Sequence, residues 1–188
     1  MVKDVNPFGS SWPGLATYRG AERRLPPPTF TASGGVLYFT AADGQTGIEL
    51  WRTDGTEPGT WQVANINDRP RAGGSGRDRS SNPAWLVSLH GDLFFAAEDG
   101  TSDIELWRSD GTPAGTRRVK NINSEHSSFP SELTRFKQRV YFSAVTSGRG
   151  RELWRTDGAR AGTHLFRDIN PGRHPSSPYR FAVMRTSE

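Results

Sequence analysis

Apolar residues in this chain alternate with polar ones over short stretches that end after five to seven residues. Glu132–Phe136, Val140–Val145, Glu152–Thr156 and Thr163–Ile169 form such a set. Each is rich in aromatic or β-branched side chains, with Gly, Asp, Ser and Pro between them, which is the pattern of four short strands. No segment sustains an apolar period of 3.6, so the pattern predicts an all-β chain with almost no helix.

The same pattern recurs along the chain. Glu49-Leu50-Trp51-Arg52-Thr53-Asp54-Gly55-Thr56 returns as Glu105-Leu106-Trp107-Arg108-Ser109-Asp110-Gly111-Thr112, and again from Glu152 through Trp154 and Asp157 to Ala159. Gly59-Thr60, Gly115-Thr116 and Gly162-Thr163 follow, each Gly five residues after its Asp. Asn65-Ile66-Asn67, Asn121-Ile122-Asn123 and Asp168-Ile169-Asn170 come next, and Asp4-Val5-Asn6-Pro7 opens the chain with the same marker. Upstream of each Glu-Leu-Trp lies an aromatic strand: Leu37-Tyr38-Phe39, Leu93-Phe94-Phe95 and Val140-Tyr141-Phe142.

These markers divide a single repeat domain, 1–188, into copies 4–64, 65–120 and 121–167, with a partial fourth at 168–188. The copies differ in length because of polar or Pro/Gly-rich insertions near Tyr18–Pro28 and within Asp68–Asn82, as expected at loop tips. Tandem four-stranded antiparallel units of this size point to propeller blades. Three units do not close a ring of roughly four to eight blades. A partial β-propeller, or one completed by a second chain to give six blades, follows. Self-association, or neighbouring repeats of a longer chain, is therefore the expected partner.

Repetition also assigns roles. In a strand of period two, Glu49 and Trp51 share one face, Leu50 and Arg52 the other. Trp51, Trp107 and Trp154 then belong to the core between units. Glu49, Glu105 and Glu152 are expected to accept backbone or indole N–H bonds, or to pair with an Arg of a neighbouring unit. Asp54, Asp110 and Asp157, each followed by Gly, read as turn formers, because the Asp carboxylate caps backbone amides and Gly supplies a positive φ. A Ca²⁺ site wants six to eight oxygens, and one Asp per hairpin falls short unless Asp4 or Asp168 converges on it.

Composition narrows the chemistry. The chain has 188 residues, 33% of them hydrophobic, with 21 Gly and 13 Pro, so it affords a core and many turns. It has no cysteine, which excludes disulfides and thiolate metal sites. His90, His126, His164 and His174 lack any zinc-ligand spacing, so no metal is expected. No cofactor fingerprint is present. No apolar run reaches the roughly 18 residues of a membrane span, and no signal peptide is visible in MVKDVNPFGSS. The net charge of +4 permits an acidic partner without demanding one.

The repeated residues resemble the ELWxxDGT repeat family of bacterial proteins. The likeness rests on Leu37-Tyr38-Phe39-Thr40-Ala41, on Glu49 through Thr60, on Asp168-Ile169-Asn170-Pro171-Gly172, and on Ser80-Ser81-Asn82-Pro83 and Ser127-Ser128-Phe129-Pro130. Departures are Ala159 for Thr, Asn65 and Asn121 for Asp, and Ser176-Ser177-Pro178, which lacks the spacer residue. The resemblance implies a propeller-like array in large secreted or surface proteins, hence an extracellular or cell-surface location, with no catalytic residues.

Three functions are set against one another. The first is a non-enzymatic module for adhesion, recognition or scaffolding. The second is a lectin with one weak site per repeat, using Trp12, Trp61, Trp85 and Tyr179 as loop platforms for a glycan. The third is an enzyme whose central channel gathers residues that break the repeat: Glu22, Glu98, Glu125 or His126. Separately, Arg69, Arg71, Arg77 and Arg79 stand among glycines in the second insertion and offer contacts to an acidic polymer. Without interleaved aromatics such a loop is a weak nucleic-acid binder, so nucleic acid is not the expected partner.

Overall fold

In the computed structural model, residues 3–7, 17–18, 21–22, 30–69, 79–101 and 103–184 are described, with 17–18 and 21–22 described by backbone alone. The elements are β1 (Thr17–Tyr18), β2 (Ala21–Glu22), β3 (Thr31–Ser33), β4 (Val36–Ala42), β5 (Ile48–Thr53), β6 (Trp61–Ala64), β7 (Ala84–Leu89), β8 (Asp92–Glu98), β9 (Ile104–Ser109), β10 (Arg117–Lys120), β11 (Ser131–Phe136), β12 (Arg139–Thr146), β13 (Gly150–Thr156) and β14 (His164–Arg167). The described residues contain no helix. β1 and β2 pair as a short ribbon.

The other twelve strands form three four-stranded sheets, β3-β4-β5-β6, β7-β8-β9-β10 and β11-β12-β13-β14, each an antiparallel meander in chain order. Their registers superimpose. Phe39 faces Trp51, Phe95 faces Trp107 and Phe142 faces Trp154 across the two central strands. Every sheet carries a register shift between its third and fourth strands, at Leu50/Trp51, Arg118/Lys120 and Leu153/Trp154.

The sheets stack face to face in sequence. Between the first and second lies a core of Tyr38, Leu50, Val63 and Ile66 against Leu93, Phe95 and Ala97, with Trp107 packed alongside. Between the second and third, Leu89, Phe94, Leu106, Val119 and Ile122 meet Leu133, Val140, Phe142, Ala144 and Trp154. The alternation along each strand therefore separates two buried faces rather than a buried and a wet one. Tyr38 and Phe94 point to the following sheet, while Phe95, next to Phe94, and Phe142 in the third sheet point to the preceding one. The first strands β3, β7 and β11 also run beside one another, so the sheets fan out from a shared inner edge.

Two backbone features recur that the residue pattern did not announce. Asn82 and Phe129, each before a proline, have φ of 48° and 46°, and three residues on Trp85 and Glu132 both have φ of 60°. These left-handed residues accompany the register shifts of β7 against β8 and of β11 against β12. Ser177 and Arg180 repeat the same pair at 47° and 54°. The segment after β14 thus repeats the backbone pair of β7 and β11, and its Arg180 amide donates to Glu132 at 2.9 Å.

Candidate functional site

The three repeated glutamates have no exposed surface, and each fastens the connector that leaves its sheet. Glu49 accepts the amides of Ile66 at 3.2 Å and Ser81 at 2.9 Å, and the Ser81 hydroxyl at 2.5 Å. Glu105 accepts the amides of Ile122 at 3.0 Å and Asn123 at 3.3 Å, and the Ser128 hydroxyl at 2.8 Å. Glu152 accepts the amides of Ile169 and Ser176, both at 2.8 Å, and the Ser176 hydroxyl at 2.6 Å. Among the alternatives set out for these acids, main-chain amides are the partners seen. The indole Nε1 atoms of Trp51, Trp107 and Trp154 are buried and donate to no partner among the described residues.

These bonds correct the reading of the third connector. Ser176 takes the place of Ser81 and Ser128, so Ser177 is the spacer before Pro178, and Pro175 replaces the first Ser of the pair. Sequence alone aligned the two serines with the two serines. The difference is that Ser80 and Ser127 bind the amides of Ile48 and Ile104 at 2.8 Å, a bond that a proline at their position does without.

Electrostatics distinguish the three acids. Burial pushes Glu49 to about 7 against the Ser81 hydroxyl and the amides of Ile66, Ser81 and Asn67. Burial likewise raises Glu105 to about 7 against the Ile122 amide, the Ser128 hydroxyl and the Asn123 amide. In Glu152 burial also acts upward, but the Ser176 hydroxyl and the amides of Ile169, Ser176 and Asn170 outweigh it and the carboxyl lies below its ordinary value. Glu49 and Glu105 have a following sheet over their connectors, and Glu152 does not.

The Asp–Gly turns are equally regular. Asp54 Oδ1 accepts the Thr56 amide at 2.9 Å and its hydroxyl at 2.7 Å, which holds the carboxyl below the usual range. The Thr56 hydroxyl accepts the Gly59 amide at 3.0 Å, and Thr60 Oγ1 donates to the Thr56 carbonyl at 2.6 Å. Asp110, Thr112, Gly115 and Thr116 repeat this set. In the third turn Ala159 keeps the amide bond to Asp157 at 3.0 Å and its carbonyl accepts the Thr163 hydroxyl at 2.8 Å, but it has no hydroxyl for the two bonds that Thr56 makes through its side chain. The second marker glycine is required for space rather than for φ. A Cβ on Gly59, Gly115 or Gly162 would lie 1.9, 2.0 or 1.9 Å from the Oδ1 of its own turn aspartate.

Turns also join the sheets. A Cβ on Gly111 would lie 2.4 Å from the Tyr38 hydroxyl, and one on Gly158 3.0 Å from Phe94. Arg108 Nη1 donates to the Gly158 carbonyl at 3.3 Å and its other nitrogen pairs with Asp92. The second and third Asp–Gly turns therefore sit on the aromatic and arginine of the sheet before them.

Of the platform residues, Trp12 lies outside the described residues. Trp61 and Trp85 stand in strands rather than in loops, opening β6 and within β7. Trp61 is 37% exposed, with the Arg52 guanidinium 4.2 Å from its ring centre, and its positions in the other sheets are held by Arg117 and His164. Trp85 packs against the core between the second and third sheets. Tyr179 is exposed beside Arg180. Arg71 and Arg77 lie outside the described residues. Arg69 is exposed and Arg79 half-buried at the two ends of that insertion.

Among the residues that break the repeat, Glu98 is buried at the end of β8, Glu125 and His126 are exposed on a connector, and the Glu22 side chain is outside the described set. Among the described residues no three His, Asp or Glu side chains gather as a metal site requires. Asp168 pairs with Arg149 at 3.6 Å, and Asp4 Oδ1 accepts the Asn6 amide at 3.2 Å. Among the described residues no helix is long and apolar enough to cross a membrane.

No family model matches the chain, and no curated protein matches it. It is similar to the solved structure of an α-L-arabinofuranosidase from Clostridium thermocellum, at 13% identity and a TM-score of 0.35, over 73% of this chain and 49% of that one. The chain thus spans about half the length of that protein.

Proposed function

We propose that the chain is a non-catalytic, propeller-type repeat module that serves recognition or scaffolding. One observation carries the reading: the acid of each Glu-Leu-Trp is consumed in holding a connector, three times over, by amides and a serine hydroxyl. A catalytic carboxylate must reach a substrate proton or carbon within hydrogen-bond range. These carboxylates are turned into the backbone instead. The stacking of successive sheets and their adjoining first strands support the propeller arrangement. A glycan platform in every repeat finds less support, since the Trp61 position is Arg117 and His164 in the other sheets.

The test is a panel of aryl glycosides and soluble polysaccharides incubated with the purified chain, followed by chromophore and reducing-end release. No turnover is expected on any member. Sustained turnover would overturn the proposal and return attention to Glu98, Glu125 and His126.

A further inference from the structure

The chain carries one apolar face three times. In the second sheet its members are Leu89, Phe94, Leu106, Val119 and Ile122, all buried by the third sheet. The first sheet presents Tyr38, Leu50, Val63 and Ile66 at the same places, all buried by the second. In the third sheet the equivalent residues are Phe136, Tyr141, Leu153, Phe166 and Ile169, and they lie open. Phe136 is 42% exposed, Phe166 44% and Ile169 51%, and Tyr141 and Leu153 are half-buried. Tyr141 meets Phe166 edge-on at 5.3 Å and Phe136 at 6.1 Å, and Arg155 lies 4.8 Å over Phe166.

The opposite end of the stack is open in a complementary way. The residues with which the third sheet covers the second include Leu133, Val140 and Phe142. Their counterparts in the first sheet are Phe30, Leu37 and Phe39. Phe30 is 67% exposed, and the other two are half-buried. Gly111 and Gly158 press on the preceding sheet, whereas a Cβ on Gly55 would meet nothing within 4 Å. Tyr141 and Arg155 hold the places of the Tyr38–Arg52 and Phe94–Arg108 pairs that receive those turns.

We propose that the third sheet of one chain docks on the first sheet of a second copy, head to tail, with the Asp54–Gly55 turn seated on Tyr141 and Arg155. Continuity with the two interfaces inside the chain selects this occupant, because each partner face already has its mate twice over in the same sequence. Such an interface is heterologous, and two chains close it into a ring if the rotation allows.

One contact must yield on docking. Asn67 lies against Gly100 in the following sheet's turn, and the Ser147 hydroxyl donates to Asn123 Oδ1 at 3.0 Å. Asn6 fills the same place at Gly44, while Lys3 Nζ donates to the Thr60 carbonyl at 2.9 Å. In the dimer Arg167–Asn170 of one copy takes over from Lys3–Asn6 of the other, as Lys120–Asn123 does within the chain.

Light scattering over a concentration series tests this, with Phe166→Asp and Phe30→Asp as variants. Both side chains are exposed, and circular dichroism with a melting curve verifies that each variant keeps its sheets. The natural chain is expected at a mass of two or more chains of 20.8 kDa, and each variant alone at one. Mixing the variants is expected to restore a two-chain species, because one junction of the mixed pair joins two unaltered faces. A natural chain of single mass at every concentration, or a mixture that stays single, overturns the proposal.

Discussion

One side chain separates the third Asp–Gly turn from the other two: alanine in place of threonine, without the hydroxyl and methyl on its Cβ. Ala159 lacks the hydroxyl that in Thr56 and Thr112 both donates to the aspartate and accepts from the next glycine amide. Ala159→Thr is expected to raise stability by about 1 kcal/mol, the order of a net intramolecular hydrogen bond, and Thr112→Ala to lower it by a similar amount. Urea denaturation checks both, and equal midpoints for the two variants and the natural chain would count against the account. The aspartate and glycine of these turns were legible in the sequence as turn chemistry. The need for Gly59 was not, because it arises from a carboxylate folding over its Cα, and spacing alone does not reveal that.

The buried glutamates give stability a pH dependence of definite sign. Glu49 and Glu105 are raised from 4.5 to about 7 in the folded chain, so the folded state holds their protons more tightly than the unfolded state. Stability through these two groups is full below pH 4.5 and falls as pH rises to about 7. Glu152 acts oppositely: its lowered value adds stability above 4.5 that is lost as pH falls through the folded value. A melting temperature that declines across this window is expected, with the slope flattened in the Glu49→Gln, Glu105→Gln double variant. A slope unaltered by the double change would refute the assignment.

At the scale of strands and sheets, position in the stack decides what a side chain is worth. Phe39 and Phe142 occupy the same register, each facing the tryptophan of its neighbouring strand. Phe142 is fully buried between two sheets and Phe39 is not. Phe142→Ala is expected to cost about 3–5 kcal/mol, as for other buried aromatic truncations. Phe39→Ala should cost distinctly less at concentrations that keep the chain single, and chemical denaturation of the two variants side by side measures the contrast. The strands of the third unit were legible to within two residues at each end, since alternation and turn signals agree there. The left-handed residues at Trp85 and Glu132 were not, because neither residue type favours a positive φ. The loop placement of Trp61 and Trp85 failed because they stand at or next to the first residue of β6 and β7, where turn signals and strand signals meet.

Across the whole molecule, the glutamate clamp fixes the two ends of a connector and leaves its length to the sequence. Glu49 grips Ile66 and Ser81, fifteen positions apart, whereas Glu105 grips Ile122 and Ser128, only six apart. The sheets on either side keep the same register in both cases. A buckle that fastens only the two ends of a strap is indifferent to the slack between them. A point in the sequence between Arg69 and Arg79, clear of Asn67 and Ser80, is therefore a natural cargo position, where spliced-in foreign peptide is expected to leave the register of the stack unaltered.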